Sequence, residues 1–112
     1  MRKRDIKAAL RKARKLIAAG WAKGVFHRYE GASAERSCYC SLGAINKVVS
    51  GQASLSTTDY RYEPQAKAVY VALLGEPVGD YHIMFDEISK WNDDPDRTQD
   101  EVLARFDKAI AA

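Results

Sequence analysis

The sequence predicts an all-α protein, a compact bundle of about five short helices with two longer loops. Three observations carry that expectation. Apolar residues recur three and four positions apart in five separate stretches, no stretch alternates with the period of two that marks a half-buried strand, and residues that start or stop helices bound each stretch. With 112 residues the chain can bury one core but not two, so residues 1–112 are read as a single helical domain. A composition of 46% hydrophobic and 29% charged residues, without Pro-rich or Gly/Ser-rich tracts, excludes a disordered or fibrous chain.

The first helix is expected over residues 5–19, where Ile6, Leu10, Ala13 and Ile17 form one apolar stripe flanked by Ala9 and Leu16. Gly20 is expected to end it in the left-handed conformation, with Trp21 folding back onto the last turn. The cluster from Glu30 to Ser37 reads as a surface loop, preceded by a short extended piece at Val25 to Tyr29. From Cys40 to Ser50 the helical period returns in Leu42, Ile45, Val48 and Val49, while Gly43 and Ala44 are small enough to admit another element. Ser50 and Gly51 end that helix, and Gln52 to Tyr62 reads as the second loop. Pro64 suits the first turn of a third helix that buries Ala66, Val69, Tyr70, Leu73 and Leu74 and stops at Gly75 and Pro77. Asp80 is a candidate cap for a fourth helix with Tyr81, Met84, Phe85, Ile88 and Trp91 inward. The last helix runs from the Thr98 cap to Ala111 and buries Val102, Leu103, Phe106, Ala109 and Ile110.

The densest stretch is Trp91 to Val102, which ends one helix, turns and starts another. Thr98 and Glu101 have the T-x-x-E spacing of a capping box. Asn92 tolerates the left-handed conformation that ends helices, and Asp94 before Pro95 is pushed toward an extended one. Arg97 is free to fork onto Asp93 or Asp94, with Trp91 as the apolar anchor of the corner. Asn92, Asp94, Asp96, Thr98 and Asp100 also alternate like the ligands of a calcium loop. Arg97 at the sixth position and Leu103 at the twelfth, where that loop needs Gly and a bidentate Glu, argue against calcium.

Charge is distributed unevenly. Met1 to Lys23 carries nine bases against the single acid Asp5, while the whole chain has a formal charge of +3, so the remainder is net acidic. Arg4, Lys7, Arg11, Lys12, Arg14 and Lys15 are the candidate phosphate contacts of a nucleic-acid-binding helix, and Trp21 or Tyr29 could stack on bases. They read as spread around the helix, and pairing with the acidic half of the same chain is the structural alternative. An alanine-rich stripe without large anchors disfavours a membrane-surface helix.

Cys38 and Cys40 stand too close for an unstrained bridge, which points to reduced thiols and a cytoplasmic location. With His27 and His82 they supply zinc-type ligands but not the usual C-x₂₋₄-C knuckle. Cys40, at a helix start where the dipole lowers a thiol's pKa, is a candidate nucleophile with His27 or His82 as base. No phosphate loop, H-E-x-x-H helix or G-x-S-x-G elbow is present, so no cofactor or metal is expected. No apolar run reaches the roughly 20 residues that span a bilayer. The basic opening is similar in charge to a transit peptide, but its apolar pattern continues into the first helix.

Cys40-x-Leu42-Gly43-Ala44, followed by Trp91-Asn92-Asp93-x-Pro95-x-Arg97-Thr98-x-x-Glu101-Val102, resembles a family of small actinobacterial and actinophage proteins known only as a domain of unknown function. Gly20-Trp21 matches the end of that family's first helix, whereas the very basic N-terminus and Cys38 depart from it. The resemblance implies a phage or high-GC bacterial origin and no activity. The expected function is a non-enzymatic accessory protein that binds a macromolecule, first a protein partner, then nucleic acid, with a Cys40-dependent enzyme as the third reading.

Overall fold

Local chemistry at the helix ends sets most of the element boundaries. The computed structural model describes residues 1–30, 36–54 and 60–112. The elements run α1 (Lys3–Ala19), β1 (His27–Glu30), β2 (Arg36–Tyr39), α2 (Ser41–Ser50), a 3-10 turn (Tyr60–Tyr62), α3 (Glu63–Leu74), α4 (Tyr81–Asp93) and α5 (Gln99–Ala111). At α5 the Thr98 hydroxyl accepts from the Glu101 backbone at 3.2 Å and the Glu101 carboxylate accepts from the Thr98 backbone at 3.0 Å, closing the expected capping box. Asp80 caps α4 by accepting the Ile83 N–H at 3.0 Å. Gly51 and Gly75 end α2 and α3 at φ 83° and 90°, a left-handed conformation open to glycine.

Helices dominate, as expected, with one addition. β1 and β2 pair antiparallel, His27 opposite Tyr39 and Arg28 opposite Cys38, where the sequence reads as a short extended piece and a loop. Strands of four residues are too short to register an alternating pattern. Instead the pairing is fixed from α1: Gly20 O accepts the Tyr39 N–H at 2.9 Å, and Tyr39 O accepts the Ala22 N–H at 3.1 Å. Residues 31–35 of the first expected loop and 55–59 of the second lie outside the described residues.

Gly20 does not adopt the left-handed conformation expected of it. Its backbone is extended, at φ −177° and ψ 123°. The position needs glycine for space, because a Cβ there would stand 2.5 Å from Ser37 O and 2.8 Å from Cys38 Sγ. Trp21 accordingly continues into a bridge with Tyr39.

α1 lies against α2, α5 and α3, with Leu10, Ala13 and Ile17 fully buried at the centre. Leu42 and Ile45 of α2, Val69 and Tyr70 of α3, Met84 and Ile88 of α4, and Val102 and Phe106 of α5 complete the core. Trp91, Phe85, Leu74, Leu103, Ala109, Ile110, Val48 and Val49, all expected inside, are partly buried at its margin. The radius of gyration, 13.0 Å, matches the roughly 13 Å of a compact domain this long. Among the described residues no helix is long and apolar enough to cross a membrane.

Candidate functional site

The dense corner closes onto the start of α2 through a buried amide. Asn92 is fully buried, and its Oδ1 accepts from Ser41 N at 3.0 Å, Ser41 Oγ at 2.8 Å and Trp21 Nε1 at 2.9 Å. Its Nδ2 donates to Ala22 O at 3.0 Å and Asp93 Oδ1 at 2.9 Å. One side chain thereby ties α4, α2 and the segment after α1 together, and every polar atom it carries is engaged. Asn92 is therefore helical and interior, not the left-handed terminator expected from its type. α4 continues through Asp93, and the chain leaves at Asp94, extended at φ −51° and ψ 130° as the following proline requires.

The Arg97 guanidinium takes other partners than Asp93 and Asp94, although the Arg97 backbone N–H donates to Asp94 O at 2.9 Å. Its Nε donates to Trp91 O at 2.9 Å, its Nη1 to Glu101 Oε2 at 3.3 Å, and its Cζ stands 4.4 Å from the Trp91 ring centre. Arg105, 4.8 Å from the same ring, donates to Leu73 O at the end of α3. Trp91 is thus a half-buried plate for two guanidiniums, which gain from the negative face of the indole, and not a fully buried core anchor. Hydrogen bonds from the Thr98 backbone and hydroxyl, with Arg97 beside them, hold the Glu101 carboxyl below its usual pKa.

Cys40 caps α2, its Sγ accepting the Gly43 N–H at 3.2 Å. Gly43 sits so close to the preceding segment that a Cβ would fall 1.9 Å from Phe26 O, which explains glycine at this place in the C-x-L-G-A motif. The expectation that the helix start depresses the Cys40 pKa is reversed. Burial pushes the thiol up to about 11, and the hydrogen bond from Gly43 opposes that rise without cancelling it. Cys38, also buried and free, packs behind Gly20.

Beside Cys40 opens a cavity of about 600 Å³, lined among others by Phe26, His27, Ala53, Ser89 and Asp93. His27, stacked on Tyr39 at 4.6 Å between ring centres, lines this cavity with Cys40, whereas His82 is exposed, lies edge-on to Tyr81 and is not part of the lining. Among the described residues no three of His, Cys, Asp or Glu come together as a metal centre.

The basic helix has a clearer geometry than its sequence suggests. With Ala9, Leu10, Ala13 and Ile17 buried, Arg4, Lys7, Arg11 and Lys15 fall three, four and four residues apart along the opposite face. They form one stripe rather than a scatter. None has an ion-pair partner among the described residues. Lys12 flanks the stripe toward α2, in a cleft with Val48 and Val49. Arg14 flanks it toward α5, where Nε and Nη2 meet the two oxygens of Asp107 and raise the guanidinium pKa further. Trp21, a candidate stacking residue, has its indole N–H committed to Asn92. The Tyr29 side chain lies outside the described structure.

A model of DUF6197, a family of unknown function, matches residues 1–112. The chain belongs to this family. Comparison with curated proteins and with solved structures finds no match. In this DUF6197 chain the Cys40 to Ala44 and Trp91 to Val102 stretches meet physically, with Ser41 of the first donating to Asn92 of the second. Sequence reasoning missed Ser41, Asn46 and Asn92 as buried polar residues. A signal was available, since Asn92 continues the four-residue spacing of Met84 and Ile88, and Asn46 that of Leu42.

Proposed function

We propose that this protein is a non-enzymatic nucleic-acid-binding domain whose working surface is the outer face of α1, with Arg4, Lys7, Arg11 and Lys15 as its phosphate contacts. The observation that supports it most is the alignment of four bases without ion-pair partners on the face opposite the core. The stripe extends about 16 Å at about 1.5 Å per residue. That is the rise of about five base pairs, so several phosphates of one strand lie within its reach.

A protein partner, the first expectation from sequence, suits this face less well. Interface cores are depleted in Lys and Ala and rich in aromatic anchors. The outer face of α1 offers Arg, Lys and Ala, while exposed large apolar side chains among the described residues are Met1, Val25 and Ile83. The same lack of anchors disfavours insertion into a membrane surface. A cytoplasmic setting accords with two free buried cysteines, and the motif resemblance suggests a phage or high-GC bacterial genome.

The test is fluorescence anisotropy with duplex and single-stranded oligonucleotides over a salt series. Four phosphate contacts predict a slope of log K against log salt of about −3.6 on duplex DNA and about −2.8 on a single strand. Replacing all four bases by Gln should abolish binding at 50 to 100 mM salt, a range chosen because Lys/Arg–phosphate contacts dominate there. Absence of binding at low salt, or unchanged binding by the four-fold variant, would overturn the proposal.

A further inference from the structure

The cavity beside Cys40 has the make-up of a ligand site independent of the basic face. Its volume, about 600 Å³, lies within the range of roughly 300–1,000 Å³ typical of small-molecule pockets. Val25, Phe26 and Ala53 supply an apolar wall, and Asp93 and Ser89 bring polar groups to it.

Asp93 is held in place before any ligand arrives. Its Oδ1 accepts from Gly24 N and from Asn92 Nδ2, both at 2.9 Å, and Asn92 is itself locked by Ser41, Trp21 and Ala22. Oδ2 and the Ser89 hydroxyl carry no partner among the described residues. Lys23, one residue before Gly24, donates its Nζ to Pro95 O at 3.0 Å rather than to this carboxylate. A fixed carboxylate with an open oxygen beside an apolar wall recognises a cationic N–H donor through a charge-assisted hydrogen bond, stronger than one between neutral groups.

We propose that this cavity binds a small organic cation, an ammonium or guanidinium carried on a flat apolar body, with its charge at Asp93 Oδ2 and its body against Phe26 and Val25. Ser89 supplies a second hydrogen bond to the charged head. The buried hub behind Asp93 then has a second role, that of aiming the carboxylate.

Benzylamine, benzyl alcohol and benzoate, which share a ring and differ in charge, provide the probes. In two-dimensional amide NMR titrations, benzylamine is expected to shift Gly24, Phe26 and Ser89 and to bind at least tenfold more tightly than the alcohol or the acid. Asp93→Asn, which keeps an acceptor for Gly24, should remove that preference. Ser89→Leu, which fills the cavity from a half-buried position away from the hub, should block benzylamine while the rest of the spectrum persists, and it decides the matter if Asp93→Asn fails to fold. Equal binding of the three probes, no binding of benzylamine at millimolar concentration, or full binding by Ser89→Leu would overturn the proposal.

Discussion

Two polar-rich regions of this chain meet opposite fates. The Trp91 to Thr98 corner turns inward: Asn92 is fully buried with five hydrogen bonds, and Arg97 folds over Trp91 onto a backbone carbonyl. The outer face of α1 turns outward, with Arg4, Arg11 and Lys15 exposed and, among the described residues, no ion pair to hold them. A buried polar group must find its partners inside the protein, so Asn92 and Arg97 serve architecture, while Asp93 at the edge of the same corner lines the cavity beside Cys40. An exposed base without a partner keeps its charge available to something else.

The corner gives the largest expected effects. Asn92→Ala strips partners from the Ser41 backbone and hydroxyl, the Trp21 indole and the Ala22 carbonyl at once. A loss of about 3–5 kcal/mol is expected, readable in urea unfolding. A loss below about 1 kcal/mol would mean that water replaces the amide and that the corner is not the rigid region described. Gly43→Ala comes next, since its Cβ must displace the Phe26 carbonyl. Overpacking against backbone predicts a loss of about 2–3 kcal/mol.

Cys40 sharpens the contrast through pH. Its folded pKa, about 11, lies above the ordinary thiol value of about 8.5 that the unfolded chain would have. The folded state therefore holds the proton more tightly, and the contribution to stability is complete below about pH 8.5 and is lost as pH rises toward 11. Thermal unfolding between pH 8 and 11 should show a progressive decline that Cys40→Ser alters, and native Cys40 should resist alkylation near neutral pH. Rapid alkylation of the folded protein would return Cys40 to the list of working residues.

How much of this was legible beforehand follows from the range of each interaction. The capping box, the Asp80 cap, the glycine stops and the apolar stripes are local, acting over three or four residues, and they stand where the sequence places them. The docking of the hairpin on the end of α1, the extended Gly20 and the partners of the Asn92 hub depend on residues 17 to 71 positions apart, such as Gly20 with Tyr39 and Trp21 with Asn92. Although helical spacing marks Asn92 as interior, no local pattern names its partners. The charged face was half legible: the bases were evident, but their alignment depends on which residues of α1 the core takes. Asp93 and Ser89 at the cavity were not legible at all, because a cavity is a property of packing.

Smaller effects complete the comparison. Thr98→Ala removes one side of a capping box on an exposed turn, and about 1 kcal/mol is the expected cost. Its carboxylate partner adds a pH signature. With the Glu101 pKa depressed in the folded state, its contribution is present above the ordinary carboxylate range and is lost as pH falls through the lowered value. Thr98→Ala should reduce that acid limb without abolishing it, because the backbone N–H at position 98, the larger cause, still donates to the carboxylate.

The smallest stability effect is the most informative for the outer face. Replacing Arg4, Lys7, Arg11 and Lys15 by Gln removes no hydrogen bond or ion pair among the described residues and should change stability by no more than about 0.5 kcal/mol, while eliminating oligonucleotide binding. Arg14→Gln should behave differently from any single member of the stripe. Asp107 already holds that guanidinium on both oxygens, so its loss should reduce the salt slope by less than the roughly 0.9 expected of a full phosphate contact. If Arg14→Gln instead weakens binding as much as Arg11→Gln, nucleic acid must draw Arg14 away from Asp107, and the binding face extends across the seam between α1 and α5.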